Sequence, residues 1–159
     1  MNAVLCRLLE VDLRRLVEDR RYERLSTVYL RLALAASFLA AVTDRFGVWG
    51  PPGAPNVAWG DFDHFLAYTA KLNPELPAAV IPALGWFVTA AEVGLGAALV
   101  VGFRTRETSL LAGVLLLLFA LGMTVGTGVK SPLNASVFSA SAGAFLLASR
   151  ARARGPSAD

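Results

Sequence analysis

The sequence predicts an all-α integral membrane protein: a four-helix bundle with an amphipathic N-terminal helix and a short helix in an outer loop. Hydrophobic residues make up 55% of the 159 residues and charged residues only 17%, whereas a soluble domain carries about a quarter charged residues. The apolar residues also form four separate segments, and most charged residues lie between or beyond them. The longest segments can cross about 30 Å of hydrocarbon as helices.

Residues 1–26 precede the first apolar segment and predict a cytoplasmic amphipathic helix. Apolar side chains recur there at helical spacing, and arginines and acids occupy the other positions: Leu5, Leu9, Leu13, Leu16 and Val17 form the apolar set. The helix is interpreted either as an interfacial helix or docking site for a cytosolic partner, or as a solvated extension packed on its own bundle. The apolar stretch comes too late for a cleaved signal peptide.

The predicted membrane domain covers residues 27–149, with spans at about 27–43, 78–101, 108–129 and 132–149. The third span has no charge, and the second has only Glu92. The first contains Arg31, and the last is short and rich in hydroxyl groups. A basic tail follows at residues 150–159.

The arginines predict the orientation of the spans. They concentrate in the N-terminal segment, in the loop with Arg104 and Arg106, and in the tail. Four spans place these segments on one side, and the positive-inside rule makes that side cytoplasmic. We therefore expect a multi-pass protein of a bacterial-type inner membrane with both termini in the cytoplasm. The basic residues behind the formal charge of +3 are then interpreted as orienting the spans and contacting lipid head groups. We expect no nucleic-acid partner.

The long connection between the first two spans, residues 44–77, predicts an ordered outer loop. It begins with a stretch rich in Gly, Pro and Trp. A short amphipathic helix follows, with Asp61 as the cap and one face formed by Trp59, Phe62, Phe65, Leu66, Thr69 and Leu72. The loop is interpreted either as an aromatic belt without a ligand or as a lid over a cavity.

Arg31 and Glu92 are the charged residues within the predicted spans. A lone charge at the bilayer centre costs about 2.5–3.5 kcal/mol on insertion scales. We expect either a direct or water-bridged Arg31–Glu92 contact, or a snorkelling Arg31 and a protonated Glu92 bonded to a neighbouring polar group. The candidates for ligand binding or proton relay are Arg31, Glu92, Thr89 and Asn134, and those in the outer loop are Asp61, His64 and Tyr68.

Several kinds of site are excluded within one chain. Cys6 is the only cysteine and His64 the only histidine, so no intrachain disulfide and no haem, copper or zinc site with several such ligands can form. We expect no metal and no covalent cofactor. No self-sufficient catalytic site is visible, which leaves open whether the protein is an enzyme.

Residues 27–149 resemble the DoxX family of small four-helix membrane proteins. The resemblance rests on an early arginine in the first span, Arg31, and on a spaced pattern that follows: Glu92, Gly96, Gly102, Thr105 and Arg106. It implies a four-span bundle in which Arg31, Glu92 and the loop around Arg104–Arg106 map onto the family pattern. Some relatives are linked to a thiosulfate:quinone oxidoreductase, and others to thiol or oxidative stress.

These observations predict an accessory or ligand-binding membrane subunit, linked to redox or sulfur metabolism, with a quinone-like or lipid-like ligand near Glu92. One alternative is a quinone-reducing oxidoreductase subunit of the thiosulfate:quinone type. Another is a small proton-coupled transporter, since an acid at mid-membrane suits that role. The expected partners are membrane lipids, further copies of the chain, or a cytosolic protein bound by the N-terminal helix.

Overall fold

A computed structural model describes residues 20–152, which form helices and turns without any strand. Four longer helices and two short ones follow in chain order: α1 Arg20–Arg45, α2 Phe62–Leu72, α3 Ile81–Val101 after a 3₁₀ turn at Ala78–Val80, α4 Thr105–Thr127, α5 Lys130–Asn134 and α6 Val137–Arg152. The prediction of an all-helical protein is confirmed for this part of the chain. The predicted N-terminal helix lies outside the described residues, except for residues 20–26, which belong to α1.

Three of these helices are long and apolar enough to cross a membrane: Arg20–Arg45, Ala78–Val101 and Thr105–Thr127. Less than a third of the most apolar stretch of each is buried within the protein. The outward side chains of α4 are large and apolar, namely Leu110, Leu111, Val114, Leu118, Leu121 and Val125. Such a continuous apolar surface suits contact with lipid and not with water, so the predicted membrane location is supported.

The segment predicted as a fourth span, residues 132–149, is not one continuous helix. It is divided between α5 and α6, where Ser136 adopts a left-handed backbone conformation with φ of 55°. A non-glycine residue in that conformation interrupts the helical hydrogen-bond ladder. The prediction of a single helix over these residues was therefore wrong, and α6, with 16 residues, is a shorter apolar helix.

One hydrophobic core joins the four longer helices. Its buried members come from each of them: Leu34, Ala35 and Phe38 of α1, Leu99 of α3, Ala112 of α4, and Ala144 and Leu147 of α6. Small residues allow the close approaches. The ring of Phe145 fills the space beside Gly113, and the Ser141 hydroxyl donates to the Gly113 carbonyl at 2.8 Å. Such small-residue contacts are typical of helices that pack in membranes.

The molecule has two ends. The terminal end comprises the start of α1, the turn between α3 and α4, and the end of α6; the loop end comprises residues 46–80 and α5. At the loop end, α2 packs against both α3 and α4. Leu66 occupies the space beside Gly85 of α3, and Leu72 lies against Gly126 of α4. Helix α2 is therefore seated between two apolar helices, above the end of α1.

Candidate functional site: a buried ion pair under an aromatic cover

Glu92 of α3 forms an ion pair with Arg45, the last residue of α1. The two side chains are only 3% and 2% exposed. Arg45 Nη1 also donates a hydrogen bond to the hydroxyl of Thr89 at 2.8 Å, and that hydroxyl donates to the Gly85 carbonyl at 2.8 Å. These three side chains, Arg45, Thr89 and Glu92, are called the polar centre below.

The polar centre lies far from either end of α3. Glu92 follows Ile81 by eleven residues and precedes Val101 by nine, which places it roughly 16 Å and 14 Å from those ends at 1.5 Å per residue. An ionised pair at that depth is stable only when each charge satisfies the other. Mutual pairing balances the two charges, and Thr89 accepts one further hydrogen bond from Arg45.

The antiparallel register of α1 and α3 explains why Arg45 is the partner. Phe38 and Leu39 face Gly96, and the guanidinium of Arg31 occupies the space beside Gly102. The same register carries Arg45, at the other end of α1, to the level of Thr89. The Arg31–Glu92 contact, one of the two alternatives that the sequence left open, is therefore not formed. Arg31 lies at the terminal end, ten residues along α3 from Glu92, which is about 15 Å.

Aromatic rings cover the guanidinium of Arg45. The Phe65 ring centroid lies 3.8 Å from Arg45 Cζ, and the Trp59 ring lies at 5.2 Å. These two rings meet edge to face at 5.4 Å. Contacts of this kind between a desolvated cation and aromatic rings are worth about 2 kcal/mol. Phe62 joins the cluster at 5.6 Å from Phe65 and leads to the partly exposed rings of Phe46 and Trp86.

Asp44 holds this cover in place through the backbone. Its buried carboxylate accepts hydrogen bonds from the amides of Ala58 and Trp59, both at 3.0 Å. The next residue, Gly60, has φ of 75° and packs so closely on Pro51 and Pro52 that a Cβ would collide with their backbone. The end of α1 thus supplies both Arg45 and the acceptor that orients the loop above it.

Some polar atoms of this region have no hydrogen-bond partner among residues 20–152. They include Arg45 Nε and Asp44 Oδ1, both buried. Unsatisfied buried polar atoms are uncommon because each costs about 1–3 kcal/mol. One donor and one acceptor, beside an aromatic surface, could bind a carbonyl or hydroxyl group of a small amphiphile.

The sequence-predicted site residues fall into separate places. Glu92 and Thr89 meet in the polar centre, whereas Arg31 lies at the terminal end with its Nε buried and unbonded among the described residues. Asn134 is exposed at the end of α5. Tyr68 of α2 reaches the edge of the cover, with its ring 6.3 Å from that of Trp59.

Asp61 and His64 form a local pair at the start of α2 and do not reach the polar centre. Asp61 is the N-cap and accepts from the His64 amide and from His64 Nδ1, both at 2.8 Å. These bonds from His64, the backbone one first, lower the pKa of Asp61 below its usual range. Both side chains are about half exposed, and no group of three or more metal-ligating side chains occurs within residues 20–152.

Arg45 and Asp44 were not recognised as site residues because they follow the predicted first span, which was expected to end at Thr43. The helix instead continues through Arg45. One signal was present in the sequence: an acid and a base directly after an apolar run, followed by an aromatic loop. Comparisons with protein-family models, curated proteins and solved structures give no significant match to this chain.

Proposed function

We propose that the protein is an inner-membrane, ligand-binding or accessory subunit whose polar centre binds the polar head of a quinone-like or lipid-like molecule. The observation that carries this proposal is the buried Arg45–Glu92 pair with unbonded polar atoms beside it. A purely structural pair would be expected to leave no donor or acceptor unsatisfied. A head group with a carbonyl oxygen could accept from Arg45 Nε.

The aromatic cover suits a ligand of this class. Phe65 and Trp59 lie on Arg45, and Phe62 and the partly exposed Trp86 extend the ring cluster to the lipid-facing surface of α3. A planar or chain-like apolar ligand could enter along these rings when the loop moves. Stacked rings would then contact its apolar part while Arg45 and Glu92 bind the head.

The proposed topology has four spans, with α6, extended by α5, as the short fourth. Both termini face the cytoplasm in this proposal, because Arg104 and Arg106 share the terminal end with the arginines at the start of α1 and the end of α6. Impermeant maleimide labelling in a Cys6→Ser background tests it. His64→Cys is expected to react in intact cells, and Arg104→Cys only after permeabilisation. The reverse result would invert the topology.

The wider role is proposed from the DoxX resemblance: an accessory subunit tied to redox or sulfur metabolism, with further copies of the chain or a cytosolic protein as partners. The oxidoreductase and transporter alternatives both need Glu92 to exchange protons. Because Arg45 forms an ion pair with that carboxylate, we favour a role for Glu92 in ligand binding over a role in proton transfer. Turnover of a quinone analogue with thiosulfate in membranes, lost in Glu92→Gln, would favour the oxidoreductase alternative.

The proposal is tested by identifying small molecules that co-purify with the protein in mild detergent, using mass spectrometry of organic extracts. The informative variant is the double change Arg45→Met with Glu92→Leu. It replaces a buried pair by apolar residues of similar volume, which is often neutral for stability. We expect the wild type to retain a quinone or lipid that the double variant loses.

Ser141→Ala is the matched control, because it removes a buried polar group from the membrane region at a different place. It is expected to retain the molecule. If the folded double variant retains the same molecules in the same amount as the wild type, the polar centre is not a ligand site.

A further inference from the structure

A groove runs between α1 and α6 at the terminal end, far from the polar centre. The groove is open to the surface and has a volume of about 420 Å³. Its floor is apolar, with Leu30 and Leu147, and its rim carries Glu23, Ser26 and Arg150. We call it the terminal groove.

The terminal groove changes from polar to apolar along α1. Glu23 is at its outer rim and Leu30 lies seven residues further, about 10 Å along the helix axis. Beyond this point α1 and α6 close, because Leu30 packs against Gly143. This gradient follows the transition from head groups to acyl chains in a bilayer, and it indicates an amphiphilic occupant.

The rim presents two opposite charges side by side. Glu23 Oε1 and Arg150 Nη1 are 3.2 Å apart, and the two side chains are 44% and 58% exposed. A guanidinium has five N–H donors and a carboxylate has several acceptor sites. Among the residues that the structure describes, this contact uses one atom of each group, so both groups can bind a further charged partner without separating.

We propose that the terminal groove binds a phospholipid with a primary-amine head group, phosphatidylethanolamine. Arg150 would bind the phosphate and Glu23 would bind the ammonium. The two charges of the head group would then each face the opposite charge of the ion pair. An anionic lipid such as phosphatidylglycerol would bring its phosphate to Arg150 but offers Glu23 only neutral hydroxyl groups and no positive charge. A choline head group has no N–H to donate to the carboxylate. The proposal does not depend on any ligand at the polar centre.

Native mass spectrometry of the detergent-solubilised full chain tests this assignment. The protein is titrated separately with phosphatidylethanolamine, phosphatidylglycerol and phosphatidylcholine at equal concentrations. We expect the ethanolamine lipid to bind about fivefold more tightly than the other two, as befits one additional charge-assisted hydrogen bond at a half-exposed site.

Each rim charge has a distinct expected effect. Glu23→Gln is expected to bring the ratio of the affinities for the ethanolamine and glycerol lipids close to one. Arg150 is expected to bind the phosphate of both lipids in this variant. Arg150→Gln is expected to weaken all three lipids about fivefold. The matched controls are Glu107→Gln and Arg104→Gln, an exposed ion pair at the same end but outside the groove. Both controls are expected to keep the wild-type preference.

Three results would overturn the proposal. The first is a wild type that prefers phosphatidylglycerol or shows no preference. The second is a pair of rim variants that bind lipids like the two controls. The third is a dimer mass that disappears in Arg150→Gln, because it would make a second copy of the chain the occupant of the groove.

Discussion

Within residues 20–152, the Arg45–Glu92 and Glu23–Arg150 pairs tie α1 to neighbouring helices, and the two pairs share their chemistry but not their surroundings. Arg45, at the end of α1 that adjoins the loop, pairs with Glu92 of α3, and both side chains are nearly inaccessible. At the terminal end, Glu23 pairs with Arg150 of α6, and both are about half exposed. The first pair is surrounded by Thr89, Phe65 and Trp59, whereas the second opens onto a groove.

The difference shows how environment decides what an ion pair does. Water competes for the exposed pair, so its net contribution is about 0–1 kcal/mol and it can readily accept other charged partners. The buried pair has no competing water, so removing one partner costs about 3–5 kcal/mol. The same residue types therefore form an exposed pair that can bind other charged groups at one end, and a buried pair with fixed partners at the other.

The largest expected effect comes from breaking the buried pair. Glu92→Leu is expected to lower the free energy of unfolding by about 3–5 kcal/mol. Arg45→Met is expected to cost less, because an orphaned Glu92 can take up a proton and an orphaned Arg45 cannot lose one. Unfolding in dodecyl sulfate, followed by loss of helical circular dichroism, measures both.

Combining these two substitutions provides the control. The double variant is expected to regain most of the lost stability, so that the double-mutant cycle gives a large coupling energy. Additive losses would mean that Arg45 and Glu92 do not stabilise each other, and the contrast between the two ends would disappear.

The next largest effect on the free energy of unfolding concerns the packing of α2 against α4. A methyl group on Gly126 would lie 2.7 Å from Leu72 Cα and from the Lys71 carbonyl, so Gly126→Ala must displace α2. We expect a loss of about 1–3 kcal/mol, measured by the same unfolding assay. Gly94→Ala is the matched control, since nothing lies within 4 Å of its added methyl group. If Gly126→Ala leaves the free energy of unfolding unchanged, α2 is packed loosely, and the loop end tolerates displacement as readily as the terminal end.

The exposed pair is expected to matter little for stability. Glu23→Gln and Arg150→Gln should each change the free energy of unfolding by less than about 1 kcal/mol, and added salt should reduce the change further. A loss similar to that of Glu92→Leu would place the terminal pair in the same energetic class as the buried one.

The smallest effect concerns the acid dependence of the start of α2. His64 lowers the pKa of Asp61 in the folded protein, first through its backbone amide and then through its ring. The stabilisation is therefore complete above the unfolded pKa of an aspartate and is lost as the pH falls through the lower, folded value. Asp61→Asn should remove this part of the acid dependence of thermal unfolding, and Asp63→Asn should retain it. Identical acid profiles for the wild type and Asp61→Asn would contradict the cap.

Local sequence patterns predicted much of the fold for physical reasons that need no tertiary information. Long uncharged runs such as that around Leu115 must be helical in lipid, because only internal hydrogen bonds can satisfy the backbone there. The cap residue Asp61 was identified from its short polar side chain ahead of an amphipathic stretch. The break at Ser136 was not visible, since serine is compatible with a continuous helix.

The sequence by itself determined the helical class, the three long apolar helices and the need of Glu92 for a partner. Hydropathy and the cost of a buried charge depend only on residue type, and both can be read along the chain. The tertiary structure decided that this partner is Arg45 and not Arg31. That choice depends on where α1 ends and on the register in which it packs against α3. A shift of a few residues in either would move a charged group by a full helical turn.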